Sequence, residues 1–179
     1  MSEVADLAAL LIESVDAFNR HRAAHPADAI VLPEANLRHC DLAGANLRGA
    51  NLFEADLGFA NLEDANLEGA DLRRTMMERC RLAGARLDGA RMDHANLRSA
   101  TVRGASLRGV TLRSGVLQGA DLQDVSFDGA NLHRASLCDA NLRGVSFAGA
   151  NLDEADLRWA RYAVADLVGV DLTLARIRM

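Results

Sequence analysis

The chain has 179 residues, enough for a single domain, and half of them are apolar although only 4% are aromatic. A core of this composition must consist mainly of Leu, Ala and Val. The net charge of −5 gives no electrostatic argument for direct binding of nucleic acid. All 20 basic residues are Arg, which together with the high Ala content suggests a GC-rich bacterial coding sequence.

Targeting signals and disulfide patterns are not evident. No apolar run is long enough to span a membrane, and the N-terminus lacks a basic region followed by an apolar core. The three cysteines, Cys40, Cys80 and Cys138, are widely spaced, which is typical of reduced thiols. We therefore expect a cytoplasmic protein that does not enter membranes.

Residues 1–29 are predicted to form a capping unit. Residues 3–24 indicate one amphipathic helix, with Ser2 as its N-cap and Pro26 after its end. Its apolar stripe has spacings of three and four residues and consists of Val4, Leu7, Leu11, Val15 and Phe18.

Residues 30–179 follow a strict period of five. From Leu37 to Ile177 there are 29 equivalent positions, and Leu occupies 22 of them. The residue two places before each is small, and is Ala in 21 of the 29 cases. An α-helix would place successive leucines roughly 140° apart around its axis, so no stripe would form. A straight strand would turn every second Leu to the opposite face. Short extended pieces separated by corners resolve the conflict, with Leu and Ala inside and Asn or Asp outside.

The glycines predict how many corners close one coil. Twelve of the 14 occupy the second position after the Leu-type residue. Seven of them recur every 20 residues without interruption, which predicts four pentads per coil and corners that need a positive φ. These seven are Gly49, Gly69, Gly89, Gly109, Gly129, Gly149 and Gly169.

The Ala–Asn/Asp–Leu–x–Gly pattern resembles the pentapeptide-repeat family, with about 30 tandem copies over residues 30–178. The resemblance implies an all-β solenoid, a right-handed quadrilateral β-helix of about seven 20-residue coils. At a coil spacing of about 4.8 Å the rod would be about 34 Å long. With the helical cap, the expected division is a cap over residues 1–29 and a β-helix over residues 30–179.

The predicted interior carries no chemistry. Cys40 and Cys80 take small inward positions two coils apart, beyond the reach of a disulfide. The five histidines, His21, His25, His39, His94 and His133, form no column and do not fall at metal-ligand spacing, so neither a metal site nor a cofactor is predicted. No catalytic constellation stands out, and we expect that the protein is not an enzyme.

Charge is banded along the predicted rod. Residues 41–71 hold seven acids and one Arg, residues 72–114 hold ten Arg and three acids, and residues 115–157 hold seven acids and two Arg. Some of the arginines stack on acids 20 residues away: Arg108 between Asp88 and Asp128, Arg113 on Asp93, Arg98 on Glu78 and Arg91 on Asp71. Four others have no acid in their own column and are the candidates for binding an acidic partner: Arg79, Arg81, Arg86 and Arg103.

Outward positions become apolar towards the C-terminal end of the repeat. Because the register continues to Ile177, we expect an uncapped last coil with exposed strand edges. The sequence therefore predicts a homodimer joined through this coil, with an interface formed by Trp159, Val164, Val168, Leu174, Ile177 and Met179. Phe53 and Phe59 are interpreted as isolated outward aromatic residues.

Two functional hypotheses follow. The first is a rigid scaffold that binds another protein. The second rests on the resemblance, because some pentapeptide-repeat proteins imitate duplex DNA, bind DNA gyrase or topoisomerase IV and protect them from quinolones or toxins. The low net charge, the basic middle of the rod and the absence of loop insertions favour the scaffold.

Overall fold

Two short helices precede the repeat, where one was predicted. The computed structural model describes the backbone of residues 3–177 and side chains from residue 7 onward, so Ser2 and Met179 lie outside the described residues. Helix α1 spans Glu3–Glu13 and helix α2 spans Val15–Ala24. The prediction of one continuous helix is wrong at Ser14. This residue is extended (φ −158°, ψ 107°), and its hydroxyl accepts a hydrogen bond from the Ala17 N–H at 3.2 Å, which caps α2.

The repeat forms a stack of coils joined by parallel bridges. Every fifth residue pairs with the residue 20 positions further on, without interruption from Val31↔Asn51 to Asn141↔Arg161. This gives about six and a half coils, with the 20-residue period that the glycine columns predict. Each bridge is a single residue between two turns, so the described part of the chain contains no extended strand longer than one bridge.

In a regular pentad, all five amide groups find an acceptor. In residues 61–65, the N–H of Asn61 donates to the Cys40 carbonyl at 2.9 Å, and those of Leu62 and Asp64 donate to the next coil at 2.7 and 3.0 Å. The Ala65 N–H closes the turn onto the Leu62 carbonyl at 3.1 Å. The remaining amide, that of Glu63, donates to the Asn61 side chain at 3.2 Å. Since buried amides must find acceptors, this scheme fixes the residue type at each position.

In most pentads that carry Asn or Asp, this side chain serves its own turn. Its side-chain oxygen accepts a hydrogen bond from the N–H two residues later, an Asx turn. Fourteen pentads show this contact, and in these the acceptors are Asn36, Asp41, Asn46, Asn51, Asp56, Asn61, Asn66, Asp71, Asn96, Asp121, Asn131, Asn151, Asp156 and Asp171. The recurrence of Asn and Asp is therefore structural.

Positive φ is a property of every corner between residues 32 and 161. The glycines two places after the Leu-type residue have φ between 63° and 78°, as predicted. Fifteen other residues at the same position have φ between 54° and 65°, among them Phe59, Arg79 and Trp159. The geometry is that of a type II turn, in which glycine removes the strain of the third residue. The conformation that the glycine column predicts thus extends to corners without glycine.

The interior is a continuous apolar stack. Leu-type and Ala-type side chains from Leu37 to Leu157 are almost wholly buried. Phe127 and Phe147 stack directly, with ring centroids 5.7 Å apart and planes 6° from parallel. This packing holds the coils in register and leaves no room for a binding cavity along the axis.

The helices cover the first coil. Leu11 and Phe18 are fully buried and belong to the same apolar cluster as Ile30 and the first leucines. The Asn19 side chain supplies hydrogen bonds that a preceding coil would otherwise make. Its amide donates to the Gly44 carbonyl at 2.9 Å, and its oxygen accepts from the Asn46 N–H at 2.8 Å. The Asn46 amide thus finds the acceptor that a preceding coil supplies elsewhere.

The last coil opens, although its sequence keeps the register. Asp166 and Asp171 make no bridge to the coil before them, and a 3₁₀ helix occupies Val164–Leu167. The Asp166 carboxylate accepts a hydrogen bond from the Ala163 N–H at 2.7 Å, and Arg176 rejoins the ladder opposite Asp156. Tyr162 occupies the Leu position where the opening begins, and its hydroxyl would need a partner inside a closed coil. The prediction of regular coils to Ile177 is therefore wrong after Arg161.

We expect Asn19→Ala to destabilise the first coil. The substitution removes the acceptor of the Asn46 amide, which costs about 1 kcal/mol in the free energy of unfolding. Denaturant unfolding measures this cost, and hydrogen exchange should accelerate at Asn46. Arg20→Ala, on the exposed side of the same helix, is the matched control, and an equal loss in both variants would contradict the capping role of Asn19.

Candidate interaction surfaces

The interior offers no reactive group. Burial raises the pKa of the Cys80 thiol to about 12, and it also raises the pKa values of Cys40 and Cys138. All three cysteines are free, and thiols with raised pKa values are poor nucleophiles. Thr75 is the buried polar residue of the inner stack, and its hydroxyl donates to the Leu72 carbonyl at 2.7 Å.

Carboxylates on the surface are engaged in fixed contacts. Hydrogen bonds from the Arg158 side chain hold the pKa of Asp156 at about 2, and Arg73 lowers the pKa of Asp71 in the same way. Hydrogen bonds from Ser146 lower the pKa of Asp128. Carboxylates of this kind stay ionised at neutral pH, which disfavours them as general acids.

The acidic and basic bands interlock. Five of the seven acids in residues 41–71 pair with Arg side chains, and most of these Arg residues belong to the next coil. Arg81 reaches back to Glu63 at 2.8 Å, and Arg86 contacts Glu68. Both contacts join residues that are 18 positions apart. Each acid therefore lies two positions after the residue that stacks on the Arg at a spacing of 20. The two bands thus neutralise each other where they meet.

None of the four arginines predicted to bind an acidic partner stands alone. Arg81 and Arg86 pair with Glu63 and Glu68, and Arg103 lies 3.8 Å from Asp121. Arg79 lies over the ring of Phe59, with its guanidinium carbon 5.7 Å from the ring centroid. Pairing residues 20 positions apart does not predict these partners, because a long Arg side chain also reaches residues in neighbouring columns.

The structure confirms some of the predicted ion pairs between residues 20 positions apart and corrects others. Arg91 pairs with Asp71 at 3.5 Å and Arg108 with Asp128 at 3.8 Å, as expected. Asp88 and Asp93 instead accept hydrogen bonds from backbone amides of the coil above, those of Arg108 and Arg113, at 2.9 Å each. The pentads of Arg108 and Arg113 carry Ser106 and Thr111 where others carry Asn or Asp. Asp88 and Asp93 therefore supply the acceptor that an Asn or Asp of the same pentad supplies elsewhere. Among the described ion pairs there is none between Arg98 and Glu78.

Phe59 is not isolated. His39 stacks on it at a centroid distance of 4.9 Å, and Arg38 lies 4.7 Å above its ring. Phe53 similarly lies beneath Arg73. Both aromatic residues are therefore half-buried by their own neighbours.

The exposed apolar residues concentrate at the open coil. Of the seven large hydrophobic residues exposed among those described, five lie between residues 159 and 177. We call these five the C-terminal apolar surface: Trp159 is 59% exposed, Val164 85%, Val168 78%, Leu174 60% and Ile177 42%. The other two, Ile12 and Met76, lie elsewhere along the chain.

A free backbone edge lies beside this surface. Where the last coil opens, the N–H groups of Phe147, Gly149, Leu152 and Glu154 have no acceptor within the described part of the chain. An open cleft of about 450 Å³ separates residues 144–149 from residues 165–170. Unpaired donors next to apolar side chains are the features that extended backbone segments bind.

A further group escaped the sequence reasoning. His21, His25 and Asp28 bring one nitrogen or oxygen ligand atom each to within 4.8 Å of the others. The His21-x₃-His25 spacing, which places two imidazoles on one face of a helix, was the available signal. In the structure His21 lies in α2 and His25 is the C-cap residue that follows it. The expectation that no histidines fall at metal-ligand spacing is therefore wrong for His21 and His25.

The comparisons identify the repeat. The family model for pentapeptide repeats matches in eight overlapping copies from residue 32 to residue 178. No curated protein matches the chain significantly. No helix among the described residues is long and apolar enough to cross a membrane.

Solved structures of the same family resemble this chain. Alr5209, a pentapeptide-repeat protein from Nostoc PCC 7120, is 30% identical, and the match covers 57% of this chain and 84% of that protein with a TM-score of 0.52. HetL, a pentapeptide-repeat protein involved in heterocyst differentiation regulation in Nostoc sp. strain PCC 7120, is 28% identical over 81% of this chain and 84% of its own, with a TM-score of 0.44. QnrB1, a plasmid-mediated fluoroquinolone resistance protein, is 20% identical over 84% of each chain, with a TM-score of 0.42. The family model matches most of the length of this chain, which therefore belongs to the pentapeptide-repeat family. The fold of this family is the right-handed quadrilateral β-helix.

Proposed function

We propose that the protein is a non-catalytic scaffold that binds other proteins. Pentapeptide-repeat proteins are generally structural or interaction proteins. The observation that carries the proposal is the concentration of exposed apolar residues beside a free backbone edge at the open coil. Since the Leu and Ala stack fills the interior, only the outer surface remains for binding.

The C-terminal apolar surface is proposed to bind a second copy of the chain. The unpaired N–H groups of one copy can donate to the Val145 and Ala150 carbonyls, which are free among the described residues, at the same edge of a second copy across a two-fold axis, beside the apolar side chains. Met179, the sixth predicted interface residue, lies outside the described residues. Val164 and Val168 have the largest exposed fractions, and their burial would remove apolar area from water.

We expect a homodimer in solution at micromolar concentration. Val164→Asp with Val168→Asp should weaken dimerisation about a hundredfold, because two unpaired carboxylates would be buried at the contact. Light scattering coupled to size exclusion measures the mass over a range of concentrations.

Met76→Asp is the matched control for this experiment, since it places a carboxylate at an exposed apolar position in another coil. It should leave the dimer intact. A wild-type chain that is monomeric at all concentrations would overturn the proposed dimer, as would a dimer unaffected by the double substitution.

The four arginines are proposed as a second contact surface for an acidic protein partner. The side chains of Arg81, Arg86 and Arg103 remain more than half exposed even though they are paired. An acidic partner would have to displace Glu63 and Glu68, so exchange of ion pairs and not simple attraction would govern binding. If substitution of all four by Gln leaves binding of an identified partner unchanged, the surface has no role.

The alternative is a gyrase-directed DNA mimic, and we place it second. Such a protein needs a dense row of uncompensated negative charge, since DNA carries one charge per about 1.7 Å. Here the richest acidic band is largely paired with Arg. The scaffold proposal therefore predicts no change in gyrase supercoiling, with or without a quinolone, at tens of micromolar protein. Inhibition or protection in that assay would favour the mimic.

A bacterial cytoplasm is the proposed location. The support is the composition, with Arg as the only basic residue type apart from His, and three free cysteines.

A further inference from the structure

We propose a binding site for a divalent transition-metal ion, with Zn²⁺ as its physiological occupant, formed by His21, His25 and Asp28. The site lies where helix α2 ends and the chain turns towards the first coil. It is independent of the C-terminal apolar surface and of the proposed dimer. Two imidazoles and one carboxylate form a ligand set that zinc accepts, with water in the fourth position.

The tautomer of His25 leaves the correct nitrogen for a metal. Its Nδ1 lies 3.1 Å from the His21 carbonyl oxygen. A carbonyl oxygen only accepts, so this contact requires the hydrogen on Nδ1, and the neutral ring then offers Nε2 to a metal. Metal-binding histidines are commonly oriented by this type of hydrogen bond to a backbone carbonyl.

The other two ligands are also positioned. His21 Nε2 lies 3.7 Å from the Asp28 Oδ2, close to the separation of about 3.4 Å expected for two ligands of one tetrahedral zinc ion. The His21 and His25 rings stack with centroids 4.5 Å apart, so both imidazoles face the same side of the helix. All three ligand atoms lie within 4.8 Å of one another, on two exposed side chains, His25 and Asp28, and one partly exposed side chain, His21.

The backbone that carries Asp28 is held in place without using its carboxylate. The Asp28 N–H donates to the His25 carbonyl at 3.2 Å, and the Arg22 guanidinium donates to the Asp28 carbonyl at 2.9 Å. Arg22 also reaches the Arg48 carbonyl at 3.3 Å, which ties the turn to the first coil. The C-terminal end of α2, where backbone carbonyls point outward, favours a bound cation.

The ligand chemistry selects the type of ion. Imidazole nitrogen suits zinc, copper and nickel, whereas Mg²⁺ and Ca²⁺ prefer a shell of oxygen ligands. A bound ion would link α2 to the segment that enters the β-helix. The consequence is a metal-dependent stabilisation of the capping helix.

Isothermal titration of ZnCl₂ into the tag-free full-length chain, freed of metal with a chelator, tests the site. We expect about one ion per chain and no binding of Mg²⁺. Substitution of a ligand, in His21→Ala or Asp28→Asn, should weaken zinc binding tenfold or more. The same addition of Zn²⁺ should slow amide exchange in residues 17–28.

His94→Ala is the matched control, because it removes an exposed histidine from the middle of the repeat. Circular dichroism confirms that each variant is folded before it is titrated. The site is refuted if zinc does not bind to the wild-type chain, if binding survives the combined His21→Ala, His25→Ala and Asp28→Asn substitutions, or if His94→Ala weakens it equally.

Discussion

The hydrogen-bond ladder between successive coils is the constraint on which the rest of the structure depends. Each coil is a ring of corners with no strand of its own, so three of the five amides of a regular pentad depend on the coils above and below for their acceptors. This requirement sets a fixed coil length of 20 residues. A single inserted residue would displace every later amide from its acceptor, which explains why the sequence keeps its register for so long.

The ladder also decides what each residue type does. Leu and Ala point inward because the bridges leave two positions of each pentad on the inner side. Asn and Asp complete the turn because the amide of the residue after Leu lies outside the ladder. The corner residue takes positive φ whether it is glycine or not, which indicates that stacking outweighs local strain of about 1 kcal/mol per residue.

Much of the fold follows from the sequence, while much of the surface does not. The inward stack and the 20-residue coil are visible because they are periodic. Ser14 breaks the helix through a local cap that leaves the apolar stripe intact, so periodicity could not reveal it. Tyr162 fits the Leu pattern as a hydrophobic residue, but its hydroxyl makes it a poor inner residue.

The surface could be predicted only where contacts follow the column. The ion pair between Arg91 and Asp71 could be predicted, because the two residues are 20 positions apart and stack in one column. Arg81 and Glu63 lie on adjacent columns and were missed, because the reach of a side chain is not encoded in sequence spacing. The consequence for function is that the basic band and the first acidic band largely pair with each other. The end of the ladder is therefore the proposed main contact surface, and the paired arginines are the second one.

Site-resolved amide hydrogen exchange is the measurement that tests the ladder most directly. The account predicts a protection pattern with a period of five over residues 31–161. In it the amides of Asn61, Leu62 and Asp64 and their equivalents exchange about two orders of magnitude more slowly than that of Glu63. In the Val164→Asp, Val168→Asp chain, from which the proposed dimer contact is removed, protection is lost at Phe147, Gly149, Leu152 and Glu154. Uniform protection, or protection without a five-residue period, would contradict it.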